Sequence, residues 1–183
     1  MCVIVDVNAA LGFLDEYVLD PLLSGDKPIP LALGGGRHAD ELIGNPKKGV
    51  PGNHRIGEVF DEIRRQSKKF PKLNLLTEYE AKQLQREEKK LPPYKSDDPH
   101  ILALAIVSGS RLLVSCDKDL KKDFRSKKIV SAVTWGDGKN DGGKILPLGH
   151  NRSQKQKRET LFETMPRCVQ RHLRAGRTQQ RFN

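Results

Sequence analysis

Long apolar runs are missing from this 183-residue chain, and none approaches the length of a membrane span. Cysteine is scarce. Cys2, Cys116 and Cys168 are odd in number and widely spaced, and do not read as a disulfide framework or a zinc knuckle. Cys2 and Cys116 lie in apolar runs, where cysteine packs as a small core residue, and a reducing cytoplasm fits that usage. The first residues, Met1-Cys2-Val3-Ile4-Val5-Asp6, lack the basic stretch and cleavage pattern of a signal peptide. There is no internal repeat. No G-x-S-x-G and no persuasive Cys/His pairing supplies a covalent nucleophile. Hydrophobic residues reach only 36%, so a core forms only where they concentrate.

Charge is abundant and unevenly spread. Lysine and arginine number 33 against 23 acidic residues, a formal net charge of +10. Residues 1–124 are balanced, and the whole excess falls in 125–183. That asymmetry describes a neutral folded body with a basic appendage suited to an anionic partner, nucleic acid being the commonest. A solvated tail with no partner is the plainer alternative. The division expected is a folded domain over 1–135, then a Gly-rich linker and basic tail over 136–183.

Apolar periodicity gives the expected elements. Cys2–Val5 reads as a short buried strand ending in Asp6. A helix follows from Asn8 to about Val18, with Pro21 just beyond it. Residues 24–57 are rich in Gly and Pro; within them Pro30–Leu33 reads as extended and Ala39–Ile43 as a helical turn. Ile56, Val59, Phe60 and Ile63 mark an amphipathic helix. Thr77-Glu78-Tyr79-Glu80 matches a capping box opening a helix to about Lys90, ended by Pro92-Pro93. Asp98-Pro99 begins a helix that is apolar on nearly every face from Ile101 to Val107 and is closed by Gly109. Leu112–Cys116 is a second buried strand ending at an acid, Asp117. Leu120 and Phe124 belong to a short helix, and Ile129–Val133 reads as a third strand. Residues 161–175 form a basic amphipathic pattern interrupted by Pro166. Strands alternating with helices predict a parallel sheet covered on both faces.

Ligands of parallel α/β folds collect at the carboxyl ends of the strands. Asp6 and Asp117 end strands and Asp98 starts a buried helix, so neighbouring strands would bring all three to one rim. Three crowded carboxylates need a counter-charge, and a divalent metal is the natural one, Mg2+ among them because it prefers oxygen ligands. Such an ion activates water and steadies charge on a phosphodiester. Each acid also has a plain alternative: Asp98 and Asp117 as helix caps, Asp119 as a solvated acid. Asn8 and Ser115 fit either a hydrogen bond to carboxylate or phosphate, or simple satisfaction of strand-end backbone. Arg37 and Lys118 lie near the proposed ligands and could contact phosphate. His100, two residues after Asp98, reads as a packing or hydrogen-bonding residue.

Val3-Ile4-Val5-Asp6-Val7-Asn8 resembles the opening strand of PIN-domain nucleases. Ser96-Asp97-Asp98-Pro99-His100-Ile101-Leu102-Ala103-Leu104-Ala105 resembles their third acidic motif, and Leu112-Leu113-Val114-Ser115-Cys116-Asp117-Lys118-Asp119-Leu120 their fourth. The resemblance spans about residues 2–135. It implies a three-layer α/β/α fold around a central parallel twisted sheet, here with a basic C-terminal extension. It also implies a second acid between the first and third motifs, for which Glu41 is the choice and Glu58 and Glu62 the alternatives. The function implied is a Mg2+- or Mn2+-dependent endoribonuclease with Asp6, Glu41, Asp98 and Asp117 as metal ligands. Many bacterial members are toxins held by an antitoxin, so an acidic antitoxin-like partner and a homodimer also come with the resemblance. The Gly/Pro-rich stretch at 24–57 and the basic tail depart from the smallest toxin form.

Two further readings remain open. A haloacid-dehalogenase-like phosphatase wants an acid two residues after its strand-end nucleophile, where this chain has Asn8. A non-catalytic module would keep the fold and bind nucleic acid (RNA, with DNA also open) or a protein partner through the tail.

Overall fold

The computed structural model describes residues 2–24, 28–69, 75–148 and 152–164. Five short strands form one sheet: β1 (Val3–Val5), β2 (Leu31–Gly34), β3 (Leu76–Tyr79), β4 (Leu112–Val114) and, last in the chain, β7 (Lys144–Ile145). Their order is β3-β2-β1-β4-β7, and every pairing is parallel. β5 (Val133–Thr134) and β6 (Asn140–Asp141) form a separate antiparallel hairpin.

Alternation along the strands splits the apolar residues between two cores. Val3, Val5, Leu31, Leu33, Leu112 and Val114 point to one face. There they meet Phe13, Leu14 and Val18 of a helical run over residues 7–24 (α1) and Leu42 of α2 (Arg37–Ile43). Ile56, Val59, Phe60 and Ile63 of α3 (His54–Lys69) complete that layer. Ile4, Ala32 and Leu113 point the other way, against Leu84 of α4 (Ala81–Glu88) and the almost wholly apolar α5 (Pro99–Ser108). Leu120 and Phe124 of α6 (Lys118–Arg125) join them. The result is an α/β fold with a parallel sheet flanked by helices on both faces. Gly109 closes α5 at φ 69°, as its sequence predicts. Among the described residues no helix is long and apolar enough to cross a membrane.

Several local expectations are corrected. Thr77-Glu78-Tyr79 is strand, not a capping box: it pairs in parallel with Ala32-Leu33-Gly34, and Glu80 precedes α4 without a side-chain cap bond. Thr and Tyr are good strand residues, and an open sheet edge outweighed a local capping signal. The first helix does not stop before Pro21. A π turn at Asp15–Leu19, in which the Asp20 N–H donates to the Asp15 carbonyl, shifts the hydrogen-bond register just ahead of the proline, and Asp20–Ser24 stays helical. Ile129 and Val130 are buried but form a turn rather than a third strand, and only Val133–Thr134 pairs. Cys116 is exposed, and Cys2 is buried and disulfide-bonded rather than a plain core thiol.

The segment read as linker supplies β7 and the buried Leu146. It continues into α7 (Arg152–Thr164), held by Arg158, which donates to the Pro147 carbonyl at 2.9 Å, and by Gly136 N–H to the Thr164 carbonyl at 2.7 Å. The 161–175 pattern lies mostly in 165–183, outside the described residues.

One buried carboxylate organises the approach to α5. Asp123, 6% exposed, accepts from the N–H groups of Lys95 and Ser96 at 2.7 and 2.8 Å. Asp123→Ala leaves both amides without an acceptor, so urea unfolding should show a loss of about 1–3 kcal/mol. A change within experimental error would show that the loop is held by other contacts.

Candidate functional site

Parallel pairing puts every strand's carboxyl end at one edge of the sheet. Val5 lies opposite Val114, so Asp6 and Ser115 emerge side by side, and Asp6 N–H donates to the Val114 carbonyl. Ser115 Oγ donates to Asp6 Oδ2 at 2.6 Å and accepts from Asp117 N–H at 2.9 Å. Asn8 Oδ1 accepts from Cys116 N–H at 2.9 Å. These two polar residues clip the exits of β1 and β4 together, although 109 positions separate Ser115 from Asp6. Asp117 also caps α6 by accepting from Leu120 N–H. Asp98 occupies the N-cap position of α5, yet its carboxylate makes no capping bond and is left to the site.

The third contribution comes from β2. After Gly34 the chain turns within two residues: a Cβ at Gly35 would sit 2.8 Å from the Tyr79 carbonyl, and Gly36 has φ 73°. This tight exit starts α2 at Arg37 and aims one side of it at Asp98. His38 accepts from Gly34 N–H at Nδ1, 3.0 Å, so its proton is on Nε2, which donates to the Val5 carbonyl at 2.9 Å. One turn on, Glu41 Oε2 lies 3.2 Å from His100 Nε2, and Glu41 Oε1 is 2.6 Å from Arg37 Nε. Arg37 also reaches Asp98 Oδ1 at 3.4 Å.

The electrostatics are those of crowded like charges. Burial pushes the Asp98 carboxyl above its ordinary value, and Asp6, Glu41 and Asp117 add to the rise while Arg37 opposes it. Asp6, 2% exposed, is likewise raised by burial, against hydrogen bonds from Ser115 and Asn8, with Asp117 adding repulsion. Asp98 therefore feels all three other carboxylates. Burial pushes His38 down, and takes His100 down to about 3 with help from the neighbouring His38 and Arg37, so both imidazoles are neutral at pH 7.

The structure thus brings Asp6, Glu41, Asp98 and Asp117 to one rim, with Arg37, Ser115 and Asn8 among them. Arg37 pairs with two of the acids, and Asn8 and Ser115 serve the strand exits. Lys118 is exposed at the start of α6, as is Asp119. Glu58 pairs with His54 and Arg55 on the surface of α3. Glu62 is held by Gln66 and Arg65, which keep its carboxyl below the usual range. Both alternatives are thus occupied by neighbours on their own helix.

His100 is the residue whose position sequence reasoning missed. It is 2% exposed, and neither ring nitrogen has a hydrogen-bond partner. Its 3.2 Å approach to Glu41 is not aligned as a hydrogen bond. Glu41, Asp98 and His100 place one ligand atom each within 4.8 Å of one another. The one available signal was a histidine on the first turn of a helix otherwise apolar up to Ser108. Two carboxylates and a neutral imidazole are a donor set that fits a divalent ion. No family model, curated protein or solved structure matches the chain. What fold and site define is therefore a parallel α/β domain with a carboxylate–imidazole cluster at its carboxyl edge.

Because ionised Asp98 is disfavoured by its surroundings, it costs stability above its folded pKa and costs nothing once pH falls below the ordinary 3.8. With chelator present, Asp98→Asn should melt higher than wild type at pH 7, and the difference should shrink as pH is lowered towards 4. A gain that stays constant across that range would contradict the crowding.

Proposed function

We propose that this chain is a PIN-like, metal-dependent endoribonuclease. The observation that supports it best is the meeting of Asp6, Glu41, Asp98 and Asp117, from four separate segments, around one carboxylate that burial and like charge both oppose. Such an arrangement costs stability and needs a cation, which is the signature of a site kept for function rather than folding.

In this reading Glu41, Asp98 and His100 would hold the ion, with Asp6 and Asp117 contributing negative charge from the ends of β1 and β4. A bound divalent ion supplies Lewis acidity at a phosphodiester. Arg37, with half its side chain exposed, turns from the acids to a phosphate oxygen, where a guanidinium offers a two-pronged contact. Lys118 adds a second cation beside Asp117. The positive excess of 125–183 supplies backbone affinity that weakens with salt and reads no sequence. The phosphatase alternative loses ground, because Asn8 is spent on the Cys116 N–H and is no general acid.

Full-length protein should cleave single-stranded RNA in the presence of Mn2+, and EDTA should stop it. Asp98→Asn should lower the rate on the order of 100-fold or more. A variant within a few-fold of wild type would place the chemistry elsewhere. DNA cut faster than RNA would change the substrate, and a small phosphomonoester turned over faster than either would revive the phosphatase.

A further inference from the structure

We propose that His100 is a metal ligand: with Glu41 and Asp98 it forms a mixed nitrogen–oxygen site that selects ions of the Mn2+, Co2+ and Zn2+ class over Mg2+. This rests on the metal-dependent reading above and narrows it to a kind of ion and a particular nitrogen donor.

Carboxylates alone would not carry the inference. The independent observation is a buried imidazole with no hydrogen-bond partner at either nitrogen, set against two acids. Buried polar groups are ordinarily satisfied, so this ring is either a fault in the packing or a donor held in reserve. Its surroundings favour the second. Nε2 lies 3.2 Å from Glu41 Oε2, and Nδ1 lies 4.0 Å from Asp98 Oδ1. One ring nitrogen and one oxygen from each acid lie within 4.8 Å of one another, and ligands around one ion at roughly 2.1 Å sit about 3–4 Å apart, so a shared cation needs the group to draw in by only a small movement.

The neighbouring histidine shows the contrast. His38 packs beside His100, with ring centroids 6.1 Å apart, but both its nitrogens are committed, one to Gly34 and one to Val5. The fold satisfies one buried imidazole fully and leaves its neighbour facing carboxylates. His100 is also rigidly placed, because the residues after it, Ile101 to Ala105, are fully buried.

The ion class follows from ligand chemistry. Mg2+ prefers oxygen donors and keeps its waters, whereas imidazole suits transition ions. Two carboxylates with one neutral ring balance a divalent charge. Arg37, which meets both acids with half its side chain exposed, would be surplus as a counter-charge once such an ion were bound.

Pulsed EPR on the full-length protein loaded with Mn2+ reads the ligand directly. Modulation from a coordinated imidazole nitrogen is expected in wild type and should vanish in His100→Asn. Competition titration should show wild type favouring Mn2+ over Mg2+, with that preference falling on the order of 10-fold or more in His100→Asn. Glu41→Gln, on a half-buried helix face, is the second variant and should weaken Mn2+ binding without unfolding. Mn2+ bound without nitrogen modulation overturns the proposal, as does an unchanged ion preference in His100→Asn or undiminished binding in Glu41→Gln. If RNA is still cleaved while nitrogen modulation is absent, the imidazole ligand fails and the nuclease stands. Nitrogen modulation without cleavage of any nucleic acid keeps the metal site and removes the nuclease.

Discussion

Repulsion among carboxylates gathered at the ends of parallel strands is the constraint to which the rest of the site answers. Asp98 is buried enough to resist ionisation, and three other acids add to that resistance. Only Arg37 among the described residues balances it directly, by ion pairs to Glu41 and Asp98. A guanidinium is a mobile counter-charge on a long stem, and half of its side chain is in solvent. The cluster is therefore tolerated without being firmly neutralised, which suits a place where a cation comes and goes.

The scaffold supports this strain with hydrogen bonds that bring in no positive charge. Ser115 and Asn8 tie the exits of the two central strands, His38 ties α2 to the end of β1, and Asp123 holds the backbone that leads into Asp98. None of the four brings a cation to the rim. They fix where the acids stand and leave the balancing of their charge to Arg37. Parallel strands make this possible, because one register places every strand exit on the same edge.

Much of this frame could be read along the chain. The apolar blocks around Ile4, Leu104 and Leu113 are dense and bounded by acids or glycine, so β1, α5 and β4 were legible together with Asp6, Asp98 and Asp117. β3 was not, since Thr77-Glu78-Tyr79-Glu80 carries a helix signal and only its pairing with β2 makes it a strand. β7 is two residues inside a Gly-rich stretch, and its identity comes wholly from its contact with β4. The roles of Arg37 and His100 were illegible for a related reason. A salt link across 61 positions and an imidazole left without a partner are properties of distance, and no periodicity encodes them.

The sheet order carries a consequence for synthesis on the ribosome. β1 emerges first, yet one of its two neighbours is β4, whose partner in turn is β7. The middle of the sheet cannot close until the growing chain has passed residue 114, and β7 adds only an edge. Asp6 then waits through more than a hundred residues of translation before Ser115 and Asp117 reach it. Pairing so distant in sequence is slow to nucleate, and it leaves the first strand to be shielded meanwhile by its nearer neighbour, β2. The nascent chain accordingly holds its acids apart, and they meet only once β4 and the residues that follow it have left the exit tunnel.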